Sequence, residues 1–260
     1  MNNYQTAIVT GASSGIGRAL TQQLCAQGVT VYALARSKRN LELAKNSLPK
    51  VYRNLLIPVV CDISKTEETQ VKIKEIFSCS QIYLVINNAG IGYSRNFVDY
   101  SDNEIDTVIA TNLRGTITVI QACLKLRDKQ RPIHFVNTTS LAGKMGFPEL
   151  SVYAATKFAI EGLTESLRHE YMNKDVTFTI VRPGITDTAF FSKAGMQLYK
   201  EGVKELKSFY SAEQVATILL AKLHSRKSVI IVGNDKFYIP LLPFVPFKYR
   251  FKVLDIVNKL

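Results

Sequence analysis

The sequence has 260 residues, enough for one large domain or two small ones with a substantial core. Hydrophobic residues make up 47% and charged residues 21%, which excludes a disordered chain. The formal charge is +12, but the bases are scattered without a run of five like charges, so a solvated basic surface is a better interpretation than a nucleic-acid-binding stripe.

Short apolar runs alternate with longer helical patterns along the chain. The strand-like runs cover residues 6–10, 29–35, 55–60, 82–87, 133–139, 176–181 and 228–232. Helical patterns follow at roughly residues 15–27, 37–47, 65–78, 102–127 and 151–173. The runs are rich in Val and Ile and apolar on both faces, which is typical of a parallel sheet covered by helices on both sides. The sequence therefore predicts one α/β domain over residues 1–260, a doubly wound, Rossmann-like parallel sheet of about seven strands.

The cysteines and the termini indicate the compartment. Cys25, Cys61, Cys79 and Cys123 have no CxxC spacing, and the histidines are dispersed, so we expect neither a disulfide framework nor a metal site. The N-terminus reaches a glycine turn at once, without a signal-peptide pattern, and no run of about 18 apolar residues is found. These features favour a cytoplasmic protein.

The first strand leads directly into a glycine-rich turn, TGASSGIG at residues 10–17. Gly11, Gly15 and Gly17 lie between strand and helix. Glycine there permits a tight turn and lets backbone N–H groups approach a pyrophosphate at the helix N-terminus. Such a turn can also be purely structural, but between a strand and a helix of this fold it predicts a nucleotide site.

The end of the second strand predicts which nucleotide is bound. Proteins that bind NAD usually carry an Asp or Glu here for the ribose 2′-OH, whereas this chain has Arg36, Ser37 and Lys38. A guanidinium can bind a 2′-phosphate that a carboxylate would repel. We therefore expect NADP(H), with a solvated basic helix start as the alternative.

The segment SLAGKMGFPELSVYAATK places Tyr153 and Lys157 four residues apart in a helical pattern, on one face. A positive charge roughly 6 Å from the phenol is worth nearly 3 kcal/mol at an effective dielectric of about 20, or about two pKa units. Lys157 is thus expected to lower the pKa of Tyr153 toward the range of a general acid. Ser140 lies just after the fifth strand, where this type of sheet presents ligand-binding groups.

Together these motifs resemble the short-chain dehydrogenase/reductase family. The resemblance extends to about residue 232 and includes, in order, TGASSGIG, Asp62 after the third strand, NNAG at 87–90, Asn112, Ser140, YAATK at 153–157 and PGITDT at 183–188. One departure concerns the cofactor: some NADP-preferring relatives carry a base at the position of Ser14, so Arg36 must supply most of the preference here.

The resemblance implies a role for each matched residue. Tyr153 would protonate the substrate carbonyl, Ser140 would hydrogen-bond that carbonyl, and Lys157 would hold the nicotinamide ribose. Asn112 would hold a water molecule that links Lys157 to solvent. The implied cofactor site consists of Gly11, Ser13, Ser14, Gly15, Ile16, Gly17, Arg36, Ser37, Lys38, Asp62, Ile63, Asn88, Ala89, Gly90, Tyr153, Lys157, Pro183, Gly184 and Thr188.

Several of these residues have structural alternatives. Asp62 and Thr188 could cap helices, Asn88 could belong to a turn, and Asn112 could be a buried helix residue satisfied by backbone. With the roles as implied, the chain is expected to be an NADPH-dependent oxidoreductase. The alternative is a non-catalytic NADP-binding sensor or scaffold protein.

The segment at 189–210 is where the family varies its substrate cover, and here it is aromatic and aliphatic. A small lipophilic ketone or alcohol is therefore the expected substrate, of a 3-oxoacyl, sphingoid-like, steroid-like or xenobiotic type. The helices at 102–127 and 151–173 resemble those that pair between subunits of the family, which implies a homodimer or homotetramer.

The C-terminal extension, residues 233–260, is apolar and basic, and its stretch FYIPLLPFVPFKYRFK carries a proline at every third position. Its apolar part is too short to span a bilayer and too rich in proline for a regular helix. Residues 237–260 could contact a membrane peripherally, or pack on this chain or a partner subunit.

Overall fold

The seven predicted strand-like runs form one parallel sheet in the computed structural model, which describes residues 5–172, 174–184, 186–190, 210–223, 225 and 227–233. The strands are β1 (Thr6–Thr10), β2 (Thr30–Ala35), β3 (Leu56–Val60), β4 (Leu84–Asn87), β5 (Ile133–Thr138), β6 (Val176–Pro183) and β9 (Val229–Val232). Two short strands, β7 (Thr186–Asp187) and β8 (Tyr210–Ser211), pair separately. The main sheet has the order β3-β2-β1-β4-β5-β6-β9, which confirms the doubly wound prediction.

Helices cover both faces of this sheet. They are α1 (Gly15–Ala26), α2 (Lys38–Asn46), α3 (Thr66–Cys79), α4 (Asp102–Ile109), α5 (Gly115–Leu126), α6 (Ser151–Glu170) and α7 (Ala212–Leu223). Because side chains alternate along a strand, Ala7 and Val9 pack with α1, α2 and α7, whereas Ile8 packs with α3 and α5. Short 3-10 turns occur at Lys50–Leu55, Phe97–Asp99 and Leu141–Gly143.

The two largest differences from the predictions concern helices. The helix predicted at 102–127 is divided by a π-helical turn, Ala110–Arg114, a rare geometry that often marks functional sites. Helix α7 was not among the predicted elements, although its buried residues, including Val215, Leu219 and Leu223, follow a helical spacing. It packs against α1 in the same core cluster as Leu20 and Leu24.

The strand order creates a crevice at the carboxyl ends of β1 and β4. The chain proceeds from β1 to β2 and β3 on one side, and from β4 to β5 and β6 on the other. Ligands of open α/β sheets bind at such a reversal point. Both the glycine-rich turn and NNAG follow strands that border it.

Some predictions fall on other parts of the chain. The proposed membrane-contacting residues 237–260 lie outside the described residues, as do residues 191–209 of the substrate cover. No helix within the described ranges is long and apolar enough to cross a membrane. The four cysteines, all in the described part, are free thiols.

Candidate active site

A cavity of about 530 Å³ runs along the carboxyl edge of the sheet and across the β1–β4 crevice. Segments that follow six consecutive strands contribute to its walls, together with the first turns of α6. The predicted site residues that line it are Gly11, Ser13, Ser14, Gly15, Ile16, Arg36, Ser37, Asp62, Ile63, Asn88, Ala89, Gly90, Ser140, Tyr153, Lys157, Pro183, Gly184 and Thr188. The fold thus brings motifs from most of the chain into one elongated site.

Three predicted residues lie outside this lining. Gly17 is buried and faces the backbone of Gly11. Asn112 is buried behind the cavity wall, and Lys38 is exposed as the first residue of α2. Gly17 and Asn112 can therefore act only through their neighbours, and the structure gives Lys38 no contact with the cavity.

The glycine turn has no room for side chains at two positions. A methyl group at Gly17 would lie 2.3 Å from the carbonyl oxygen of Gly11, and one at Gly11 would lie 2.8 Å from Cα of Ala89. Gly11 also has a positive φ of 67°, which favours glycine. The turn is therefore pressed against both α1 and the segment that follows β4.

The N-terminus of α1 is open toward the cavity. Within the described part of the chain, the Ser14 side chain makes no capping bond, and the first turn of α1 has no acidic residue. Backbone N–H groups there remain available to an anion at the positive end of the helix dipole. This cradle fits the phosphates of a dinucleotide.

Thr10 joins the two sides of the crevice and was missed as a site residue. Its buried Oγ1 accepts hydrogen bonds from the backbone N–H groups of Asn88 (3.0 Å) and Ala89 (3.1 Å). The Asn88 side-chain amide donates to the carbonyl oxygen of Thr10 at 3.3 Å. Thr10 was visible as the first letter of TGASSGIG, but its hydroxyl partners 78 and 79 residues away have no sequence signature.

One end of the cavity is polar and lies beside β2 and β3. Arg36 is exposed at this end, next to Ser37 and to Asn40, which the sequence did not single out. Ser37 Oγ accepts from the backbone N–H of Asn40 at 3.2 Å and so caps α2. Asp62 Oδ1 accepts from the backbone N–H and the hydroxyl of Ser64, at 3.1 and 2.7 Å. Asp62 therefore shapes a turn ahead of α3, whose cap position is Lys65.

Tyr153, Ser140 and Lys157 meet near the middle of the cavity. Tyr153 is 9% exposed, and the Ser140 side chain is near enough to its hydroxyl group to influence its pKa. Lys157 Nζ donates to the carbonyl oxygen of Thr138 at 3.0 Å and lies 5.6 Å from the centroid of the Tyr153 ring. The three predicted side chains thus form one connected group.

The pKa values of this group differ from the prediction. Burial raises the pKa of Tyr153 to about 12, although the neighbouring Ser140 hydroxyl lowers it in part. Burial also lowers the pKa of Lys157 to about 8. The predicted lowering of the Tyr153 pKa by Lys157 is therefore wrong for the protein alone, because removal of the phenol from water dominates its pKa. A YxxxK spacing shows that the tyrosine and the lysine share a helix face, but it does not show that both side chains are buried.

Asn112 makes the backbone hydrogen bonds that its structural alternative requires, and its role in holding a water molecule stays a prediction. Its amide exchanges two hydrogen bonds of 2.8 Å with the backbone N–H and carbonyl of Ile91, and it donates to Thr156 Oγ1 at 3.1 Å. The side chain therefore braces the segment after NNAG against α6. The π-helical turn at Ala110–Arg114 is where the chain presents it.

The other end of the cavity is apolar. The ring of Phe190 lies 5.4 Å from that of Tyr153, and Phe147 and Leu150 join the same wall. Gly92 makes this possible, because a methyl group there would lie 3.1 Å from both aromatic rings. Sequence reasoning assigned no role to Gly92, Phe147 or Leu150, although the last two lie between Ser140 and Tyr153.

The buried Lys157 predicts a pH dependence of stability. Its pKa of about 8 in the folded protein lies below the 10.5 of an unperturbed lysine, so the unfolded chain binds more protons between these values. The free energy of unfolding therefore rises with pH in this window. Relative to Lys157→Met, the wild-type protein should gain about 2 kcal/mol between pH 8 and 10 in urea denaturation. If the free energies of unfolding of the two proteins changed in parallel with pH, Lys157 would have the pKa of an ordinary lysine in the folded protein.

Comparisons with known proteins agree with this geometry. Residues 5–198 match the family model described as short chain dehydrogenase. An uncharacterized short-chain type dehydrogenase/reductase of Sinorhizobium fredii is 34% identical over 206 residues, covering 79% of this chain and 78% of that protein.

Solved structures show the same fold. An alcohol dehydrogenase from the archaeon Thermococcus sibiricus, complexed with 5-hydroxy-NADP, is similar with a TM-score of 0.78 and 26% identity, covering 88% of this chain and 96% of that one. A short-chain dehydrogenase/reductase from Burkholderia phymatum in complex with NAD has a TM-score of 0.80 at 23% identity, covering 87% and 88%. Because a family model matches most of its length, and its fold and site agree with that match, the chain belongs to the short-chain dehydrogenase/reductase family.

Proposed function

We propose that the protein is an NADPH-dependent oxidoreductase that reduces a lipophilic ketone to a secondary alcohol. The observation that carries this proposal is the position of Tyr153. Its buried side chain lines the cavity where the apolar end begins, packed on Phe190 and with Lys157 Nζ 5.6 Å from its ring centroid. A carbonyl group at this junction could reach a proton donor while its hydrocarbon part stays among apolar side chains.

Tyr153, Ser140 and Lys157 have different roles in the proposed reduction. A nicotinamide cofactor, held by the glycine-rich turn and Lys157, would supply a hydride to the carbonyl carbon. Tyr153 donates the proton, and its raised pKa keeps it a neutral donor at pH 7. Ser140 orients the carbonyl oxygen by a hydrogen bond. Lys157, whose pKa burial lowers to about 8, would hold the nicotinamide ribose with its buried amino group.

The choice of NADPH over NADH rests on Arg36. Similar structures contain either NAD or an NADP derivative, so they support a nicotinamide cofactor of either kind. Among the described residues that line the cavity, Asp62 is the single carboxylate, and its Oδ1 is occupied by Ser64. The guanidinium of Arg36, with Ser37 and Asn40 beside it, favours a 2′-phosphate at the polar end.

Replacing Arg36 by Ala tests the cofactor preference. Hydrogen bonds to charged groups contribute about 1.5–3 kcal/mol, so the Kd for NADPH should rise roughly 10- to 150-fold while the Kd for NADH changes little. Arg39→Ala is the matched control, since Arg39 is exposed on α2 and does not line the cavity. Fluorescence titration of both nucleotides measures the effect, and equal losses for NADPH and NADH in Arg36→Ala would remove the phosphate argument.

A series of methyl ketones of increasing chain length tests the substrate class. Each buried methylene contributes about 0.8 kcal/mol, so kcat/KM should rise roughly fourfold per carbon until the apolar end is filled. NADPH absorbance follows the reaction. Activity confined to small polar carbonyls would contradict the lipophilic substrate, and tight NADPH binding without turnover of any ketone would favour the sensor or scaffold alternative.

We also propose, by analogy with the family, that the protein forms a homodimer or homotetramer through the helices at 102–127 (α4 and α5) and 151–173 (α6). An outward groove between these helices supports the proposal and is lined by Ile117, Ile120, Leu124, Leu163, Leu167 and Tyr171, among others. Light scattering during gel filtration measures the mass in solution, and a monomer at micromolar concentration would contradict the assembly.

A further inference from the structure

A buried carboxylate lies one helical turn beyond Lys157 on α6. Glu161 is 5% exposed, and Arg182, at the end of β6, is 7% exposed. The Arg182 guanidinium donates to both oxygens of Glu161, from Nε to Oε1 at 2.7 Å and from Nη2 to Oε2 at 2.6 Å. This is a two-bond ion pair in the interior, a geometry that fixes both partners in direction as well as distance.

The same carboxylate receives two further contacts from the segment that carries Ser140. Thr139 Oγ1 donates to Glu161 Oε1 at 2.9 Å, and Lys144 Nζ lies 3.3 Å from Oε2. Thr139 directly precedes Ser140, and Lys144 follows the short Leu141–Gly143 turn. Glu161 therefore holds both ends of the Ser140 segment.

The segment also packs directly on α6. A methyl group at Gly143 would lie 3.2 Å from Cγ of Glu161 and 3.2 Å from the carbonyl oxygen of Lys157. The turn thus lies against the backbone of the helix that presents Tyr153 and Lys157. Because the segment is packed tightly on α6, a displacement of the Glu161 side chain should also displace the segment.

The energetics favour a geometric role for this ion pair. Two buried charges lose much of their hydration, so a buried ion pair is weak evidence for net stability. Here three positively charged or donor groups from two segments, the Ser140 segment and the end of β6, converge on one carboxylate of α6. Such an arrangement specifies one relative position of the end of β5, the end of β6 and α6.

We propose that Glu161 is a positioning residue for the reaction: through Thr139 and Lys144 it holds the Ser140 segment at its distance from Tyr153. The catalytic consequence rests on the function proposed above, in which both hydroxyl groups act on one carbonyl oxygen. The mechanical part, that the segment at 140–146 is held by Glu161, does not depend on that function.

Thr139→Val and Glu161→Gln test the proposal. Because small misplacements of reacting groups are costly, kcat should fall roughly 10- to 100-fold in both variants. KM for the ketone and Kd for NADPH should stay within about twofold, since the network lies behind the binding surfaces. Thr139→Ser keeps the hydroxyl group and should restore kcat to near the wild-type value.

Thr164→Val is the matched control for a buried threonine. Thr164 lies on the same helix and accepts a hydrogen bond from Asn137, outside the Glu161 network. It should leave kcat nearly unchanged. If kcat fell equally in Thr164→Val, Thr139 and Glu161 would give only general structural support, and the proposal would be overturned. A wild-type kcat in Thr139→Val would overturn it as well.

Hydrogen–deuterium exchange of the peptide at 140–146, measured without any substrate, separates this proposal from the proposed function. Faster exchange is expected in Thr139→Val and Glu161→Gln but not in Thr164→Val. If the wild-type protein reduces no ketone, the function fails, and the exchange result alone decides whether Glu161 holds the segment. An unchanged exchange rate of this peptide in Thr139→Val and Glu161→Gln would overturn the proposal that Glu161 holds the segment. If Glu161→Gln does not fold, the comparison of Thr139→Val with Thr139→Ser decides.

Discussion

Tyr153→Phe is expected to lower kcat for ketone reduction by roughly 10²- to 10⁴-fold, the usual contribution of a positioned general acid. The substitution removes one oxygen atom and leaves the ring that packs on Phe190. The phosphate cradle and the polar end of the cavity lie elsewhere, so Kd for NADPH should change by less than about twofold. Stopped-flow single-turnover kinetics with saturating NADPH measures the chemical step directly.

Tyr52→Phe is the control for this experiment. Tyr52 lies in the 3-10 turn before β3, away from the cavity lining, and its loss should leave kcat unchanged. A Tyr153→Phe protein that retained more than a tenth of the wild-type kcat would show that another group supplies the proton.

Gly17→Ala has the second large expected effect, on stability and on cofactor binding together. A methyl group at Gly17 would lie 2.3 Å from the carbonyl oxygen of Gly11 and 2.5 Å from the Asn88 side-chain amide. Neither the turn nor the helix can move without opening the crevice, so the free energy of unfolding should fall by about 3 kcal/mol or more. Kd for NADPH should rise more than tenfold, because the displaced turn no longer presents its N–H groups.

Gly162→Ala is the matched control on another helix. Outside its own turn of α6, no atom of the described residues lies within 4 Å of the position that this methyl group would take. An alanine in the interior of a helix should stabilise it by up to about 1 kcal/mol relative to glycine. Urea denaturation and NADPH titration compare the two variants. Wild-type values of both in Gly17→Ala would mean that the turn is more open than the structure shows.

The fold was largely predictable because its signals are local. Seven apolar runs became the seven strands of the main sheet, and TGASSGIG, NNAG and YAATK each follow or begin an element that the pattern itself revealed. Once the strands are parallel, their carboxyl ends must share an edge, so Ser140, Asn88 and Gly11 had to meet. The missed helix α7 had a usable helical spacing at Val215 and Leu219.

The rest depends on burial and on contacts between distant residues, which a sequence pattern does not carry. The pKa of Tyr153 rises because the ring is buried, and the spacing to Lys157 cannot show that. The pairing of Asn112 with Ile91 and of Glu161 with Arg182 spans 21 residues in each case without a motif. Such contacts can be found only once the chain is folded.

Transfer of deuterium from cofactor to product tests the central claim most directly. The protein is incubated with a long-chain methyl ketone and with NADPH labelled by deuterium at the hydride-donating position, and the product is identified by mass spectrometry. The proposed reaction predicts a secondary alcohol with one deuterium on the carbinol carbon, formed by the wild-type protein and nearly abolished in Tyr153→Phe. An alcohol without deuterium, or no alcohol from any ketone of the series while NADPH binds tightly, would contradict it.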